Sequence, residues 1–194
     1  MIRNLAACLA APFLASASIP DAITVTHHPS VVQVLCDQGR GTAFRWRGNA
    51  VISVMHVVGL SNCSINGVPI EVALKDEEQD FAILRLPSSV PGIPVNCEGF
   101  KSGERYYAVG YARGRPYQRM IAVQGSEAAT RVYGAKGFSV LVGAEYFIPG
   151  MSGGPVLNAD GEAVGTVNAF NPFLGISYST QLKDTAVCSS PAFN

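Results

Sequence analysis

Charge is scarce in this chain. Only 14% of its 194 residues are Asp, Glu, Lys or Arg, and 14 bases balance 14 acids. So little charge excludes an intrinsically disordered or highly solvating polymer, and so even a balance argues against nucleic acid or anionic lipid as the main partner. Helical periodicity is nearly absent after the first twenty residues. No apolar run is long enough to cross a bilayer as a helix. Histidine is rare as well, with three in the chain, which leaves few candidates for acid–base chemistry near neutral pH. What remains, 48% hydrophobic residues with 20 glycines and 12 prolines, is enough for one domain, or for two small halves sharing an interface.

The N-terminus reads as a targeting segment. Arg3 is the only charge before Asp21, residues 5–14 are apolar and Ala15-Ser16-Ala17 offers small residues for cleavage. Leu5-Ala6-Ala7-Cys8 matches a lipobox pattern, but the apolar run continues beyond it, so Cys8 is expected to leave with a signal peptide of residues 1–17. The mature chain then carries Cys36, Cys63, Cys97 and Cys188. An even number in an exported protein predicts two disulfides. Three pairings are open, and buried free thiols are the alternative. Cys36 with Cys63 and Cys97 with Cys188 is favoured, because the first two flank His56 on expected neighbouring strands. The spacings do not fit zinc ligation, and no metal or other cofactor is expected.

Short β-branched and aromatic runs alternate with Gly, Pro and Asn. They predict strands over 31–36, 42–46, 50–57, 63–65, 68–74 and 81–86, then 106–111, 119–123, 138–142, 155–157, 163–168 and 175–179. Arg47-Gly48-Asn49, Asn66-Gly67 and Ala159-Asp160-Gly161 supply turns. Residues 87–99 read as a linker. Two groups of six strands imply an all-β protein of two antiparallel barrels, 18–94 and 95–194. The stretch Tyr111 to Arg119 holds Arg113, Arg115 and Arg119. These could hold a phosphate or an acidic peptide, but Gly and Pro among them point to a solvated loop.

The chemistry concentrates in Gly150-Met151-Ser152-Gly153-Gly154-Pro155. Glycines around one hydroxyl let backbone N–H groups point outward, as an oxyanion hole requires. The bland alternative is a Gly-rich turn. A nucleophilic serine needs a base. His27 and His28 lie before any expected strand and read as surface residues. His56 closes an apolar run, where it must find a polar partner; a satisfied core histidine is the alternative. Of the acids from Asp76 to Asp80, Asp80 stands at the entry to an apolar strand and is the one expected to be drawn under the surface.

Ser53-Val54-Met55-His56-Val57-Val58, Asp80-Phe81-Ala82-Ile83-Leu84 and the glycine-rich hexapeptide resemble, in this order, the three signature blocks of trypsin-like serine proteases. The resemblance runs from about residue 31 to 179. It implies a chymotrypsin-like double barrel with a cleft between the barrels, and a serine endopeptidase with Ser152 as nucleophile, His56 as base, Asp80 as its orienter and the N–H groups of Gly150 and Ser152 as oxyanion hole. Met151 stands where trypsins carry the aspartate that pairs with a new N-terminus, so that activation switch is not expected. The short interval from His56 to Asp80 is more similar to bacterial members, periplasmic PDZ-bearing proteases among them; no PDZ domain is expected after residue 180. The resemblance places the primary pocket at Tyr146, Asn168, Ala169 and Phe170, with a preference for small apolar side chains. It implies a protein or peptide substrate, no nucleic acid, no stable membrane partner, and a periplasmic or secreted location. The other reading is a catalytically silent protease-like module that binds peptides without cutting them.

Overall fold

The computed structural model describes residues 23–190 except 60, 90, 127–128 and 133–134. The expected signal peptide lies outside the described residues. Two antiparallel sheets make up the molecule. The first holds β2 (Val31–Cys36), β3 (Gly39–Arg45), β4 (Ala50–Ser53), β5 (Cys63–Ile65), β6 (Val68–Pro69), β7 (Glu71–Asp76) and β8 (Phe81–Arg85), in the order β6-β5-β2-β3-β4-β8-β7. The second holds β1 (Ile23–Thr26), β9 (Arg105–Gly110), β10 (Gln118–Gln124), β11 (Ala129–Val132), β12 (Ala135–Val142), β13 (Pro155–Leu157), β14 (Ala163–Asn171) and β15 (Ile176–Gln181). Its order is β1-β10-β9-β13-β14-β15-β12-β11, and a further β10–β12 pairing folds the sheet back on itself. This is the chymotrypsin-like double barrel.

The turns follow their residues. Asn66 and Gly67 both take positive φ, at 53° and 76°, as a two-residue hairpin turn demands. Each sheet encloses its own apolar interior. Val34, Val51, Ile65 and Leu84 fill the first, and Phe100, Tyr106, Leu141 and Met151 the second. A third cluster, with Phe44, Ile52, Phe81 and the adjoining Trp46 from one side and Val109, Leu157 and the adjoining Leu182 from the other, glues the barrels together.

Several details differ from the sequence expectation. The sheets have seven and eight strands, because short pieces (β1, β6 and β11) extend the two sets. β1 crosses over and pairs with β10. His28 follows it and is half-buried: its N–H donates to Gln118 Oε1 at 2.6 Å, and its ring accepts from Ser30 N–H. Burial, aided by the neighbouring His27 charge, pushes the His28 ring below the usual histidine range. It is a packed residue rather than a free surface one. The expected strand over 50–57 stops at Ser53, and residues Met55–Val58 form a short helix, α1. Ser53 is the last β4 residue paired with β8, opposite Ala82; without a partner strand the chain coils. Pro69 likewise splits the strand expected over 68–74. The 87–99 segment is stitched into both barrels, with Ile93 N–H donating to Arg45 O and Asn96 N–H to Ala163 O.

Cys36 is joined to Cys63 and Cys97 to Cys188. The second bridge ties the linker to the short C-terminal helix α2 (Ala186–Ser189) across 91 residues of chain. Replacing both of its cysteines by serine should cost about 4 kcal/mol through the loop entropy restored to the unfolded chain. Urea unfolding of that variant against the parent checks this. No helix among the described residues is long and apolar enough to cross a membrane.

Candidate active site

α1 turns His56 out of the first barrel toward the cleft, where its side chain is 46% exposed. The β7–β8 turn brings Asp80 beneath it. Asp80 has a positive φ of 48°, a conformation that Asp tolerates better than most residues and that aims its side chain back at α1. Its Oδ1 accepts the His56 backbone N–H at 2.9 Å, and its Oδ2 accepts the ring Nδ1–H at 2.7 Å. With Nδ1 donating, Nε2 is left as the basic nitrogen.

A residue of the opposite barrel completes this pair. Asn168 is an extra residue in β14, a bulge between Val167, opposite Ser179, and Ala169, opposite Tyr178. The bulge re-aims its side chain at Asp80. Its Nδ2 donates to Asp80 Oδ2 at 2.9 Å. Its Oδ1 accepts from Thr166 Oγ1 at 3.0 Å and Thr180 N–H at 2.8 Å, which fixes the amide's orientation. Sequence reasoning placed Asn168 only in a pocket wall. An amide inside the apolar run Val164 to Phe170 was the available signal, since a buried amide needs partners.

Ser152 sits in a loop held by hydrogen bonds to both barrels. Pro149 O accepts Arg113 N–H, so the N–H of Gly150, across the same trans peptide, points the other way. Met151 O accepts Gly154 N–H, so Ser152 N–H is turned outward in the same manner. Neither N–H meets an acceptor among the described residues. Gly150 and Gly153 require the left-handed φ values of 94° and 86°. A Cβ on Gly153 would also collide with Thr42 O and Ser53 Oγ. The Ser152 hydroxyl donates to Asn168 O at 3.2 Å, and among the described residues it makes no bond to His56.

Thr42 is the clamp between the barrels, and nothing in its neighbouring residues marks it as one. It is fully buried. Its N–H donates to Ser152 O, and its carbonyl accepts from Ser53 Oγ. Its hydroxyl donates to Gly150 O at 2.8 Å while accepting Tyr111 N–H at 3.0 Å. Thr42→Val keeps the shape and loses the hydroxyl. We expect kcat to fall about tenfold with KM little changed, less than the roughly 10²–10³ lost with a direct oxyanion donor. Thr42→Ser should restore activity. Steady-state kinetics of the two variants test it.

His56, Gly150 and Ser152 face one cavity of about 590 Å³ between the barrels. Phe147, Ile148, Ala169 and Phe170 form an apolar wall, and Gln38, Gly39, Arg40 and Ser61 line the opposite side. No carboxylate among the described residues lines it. Tyr146 does not reach this cavity; it stacks on Phe170 from behind, with ring centres 5.1 Å apart and planes 11° from parallel. Beyond Thr166, β14 loses its β13 partner, so the backbone of residues 168–170 keeps one unpaired edge beside the cavity. Met151 points away into the second barrel core and is wholly buried.

His56 and Ser152 thus line one cavity between two β-barrels, with Asp80 bonded to the His56 ring. A model of the trypsin-like peptidase domain matches residues 41–165. The chain belongs to the trypsin-like peptidases, a family of serine-type endopeptidases. Among solved structures it is similar to the Rv3671c protease of M. tuberculosis in its inactive form, at 24% identity and a TM-score of 0.69, covering 81% of this chain and 86% of that one. It is also similar to the HtrA-type protease AlgW, solved with a tripeptide, at 18% identity and TM-score 0.69, covering 83% of this chain and 60% of that one. Deg5 is a third, at 17% identity and TM-score 0.64, with 83% and 90% covered. No curated protein matches the chain by sequence.

Proposed function

We propose that the protein is an exported endopeptidase that cleaves polypeptides through an acyl-enzyme on Ser152. The observation that carries this reading is the bond from His56 Nδ1 to Asp80 Oδ2, which leaves Nε2 basic beside the cavity that Ser152 lines. In the reaction the Ser152 hydroxyl leaves Asn168 O and gives its proton to Nε2 while Oγ attacks the scissile carbonyl. Asp80 stabilises the imidazolium without taking the proton. The N–H groups of Gly150 and Ser152 receive the oxyanion. His56 then protonates the leaving amine, and water, deprotonated by the same ring, releases the acyl group.

The free edge at residues 168–170 lets a substrate add as an extended strand. The walls from Phe147 and Phe170 favour a small apolar side chain before the scissile bond. Asn168 belongs to the triad's support as much as to this pocket. Met151 lies among apolar neighbours, so no ion pair to an N-terminal amine forms at that position; removal of residues 1–17 suffices, and residues 18–94 and 95–194 act as the two halves, with residues 23–26 of the first half crossing into the second barrel. The disulfides suit an extracytoplasmic location.

Cleavage of a peptide library tests this. Cuts after Ala or Val are expected. Dominant cleavage after Lys or Arg would contradict the pocket, and binding without cleavage would favour the silent peptide-binding module.

A further inference from the structure

The arginines between Tyr111 and Arg119 are not a featureless solvated loop. Arg113, Arg115 and Arg119 line a second cavity of about 410 Å³, together with Tyr117, Tyr146 and Glu145, the one acid among the described lining residues. None of the three makes an ion pair with a carboxylate among the described residues. Arg119 lies over the Tyr117 ring, 5.7 Å from its centre. The Arg119 guanidinium beside it, with the charge of Arg115, holds the Tyr117 phenol below the usual tyrosine range. A fourth guanidinium borders the patch, for the Arg40 side chain packs against Gly114. Arg40 also lines the catalytic cavity.

The two cavities are neighbours with a shared wall. Ile148, Pro149 and Phe170 line both. A chain lying in the cleft therefore needs only to pass over this ridge to enter the basic cavity. Three guanidiniums lining one cavity with aromatic walls suit several carboxylates of one chain better than a single compact anion, which a pair of arginines would satisfy.

Resting on the peptidase reading above, we propose that this basic cavity is an exosite that binds an acidic segment of the polypeptide substrate and draws it to the cleft. The ligand is a stretch of Asp or Glu side chains adjoining the cleaved sequence. Arg115 and Arg119 carry its recognition. Arg113 is set apart, because its backbone N–H holds Pro149 O.

The test uses matched peptides that share one cleavable core and carry four Glu or four Gln at either end. The Glu form should have a KM about tenfold lower at one end, with kcat unchanged, and the gap should close as salt screens the charges. The double variant Arg115→Ala/Arg119→Ala should erase the gap. Arg115→Glu/Arg119→Glu should reverse it in favour of a Lys-extended peptide, which a misfolded variant could not do. Anisotropy of labelled tetraglutamate on the Ser152→Ala protein reads the exosite without turnover. Binding there with no cleavage by the parent would sink the peptidase reading and leave the exosite standing. Equal KM for Glu and Gln forms at both ends, or inorganic phosphate at low millimolar concentration displacing tetraglutamate completely, would overturn the exosite.

Discussion

Ser152→Ala is expected to lower kcat/KM by about 10⁶, with the folded structure intact. In the proposed mechanism the Ser152 hydroxyl is the attacking group, set beside the outward N–H groups of Gly150 and Ser152 in the cavity that His56 lines. Water would have to serve instead, without the effective concentration that a bound nucleophile supplies. The loop would survive, because it is held by Gly153 N–H on Val167 O, Thr42 N–H on Ser152 O and the Thr42 hydroxyl on Gly150 O, none of which uses Ser152 Oγ. Oγ contributes a single 3.2 Å bond to Asn168 O. The melting temperature should therefore stay close to that of the parent. Adding His56→Ala should cost little more, because base and nucleophile act as one unit and the residual rate belongs to the oxyanion donors and to binding. Additive losses in the double variant would mean that the two side chains work in separate steps. Initial rates on a fluorogenic peptide, with thermal unfolding as control, read all of these.

Asp80→Asn comes second, at about 10⁴ in kcat. The carboxylate accepts three hydrogen bonds, from His56 N–H, His56 Nδ1–H and Asn168 Nδ2. An asparagine presents one oxygen and one NH₂ to the same three donors. If its oxygen keeps the His56 backbone, its NH₂ faces both Nδ1 and the Asn168 amide. The ring then relieves the conflict by moving its proton to Nε2, and the basic nitrogen points away from Ser152. KM should hardly change, because Asp80 is not part of the cavity lining. Labelling of Ser152 should slow in parallel with turnover. A variant that lost KM rather than kcat would show that Asp80 shapes the cleft instead of the imidazole.

The three candidate triad residues were legible because each sits at an edge that sequence marks: His56 at the end of a run of apolar residues, Asp80 before one, Ser152 among glycines. The hairpin turns were legible for a similar reason, since Asn66-Gly67 tolerates the positive φ values that few other pairs accept. Long-range pairing left no such mark. That residues 23–26 join the second sheet depends on β10, almost a hundred residues away. The helix at Met55–Val58 forms from residues with strand propensity, because the sheet offers them no partner beyond Ser53. Thr42 and Asn168 each act across the barrel interface, and nothing in their local sequence says what they face. The arginines read as a loop for the same reason: only the fold sets Tyr146, Glu145 and Phe170 around them.

The most direct measurement is the intact mass and peptide map of the protein after reaction with a fluorophosphonate, which captures a serine made nucleophilic by a neighbouring base. One adduct on Ser152 is expected, abolished in Ser152→Ala and strongly slowed in Asp80→Asn. An unmodified parent, or an adduct on any other residue, would contradict a Ser152 nucleophile.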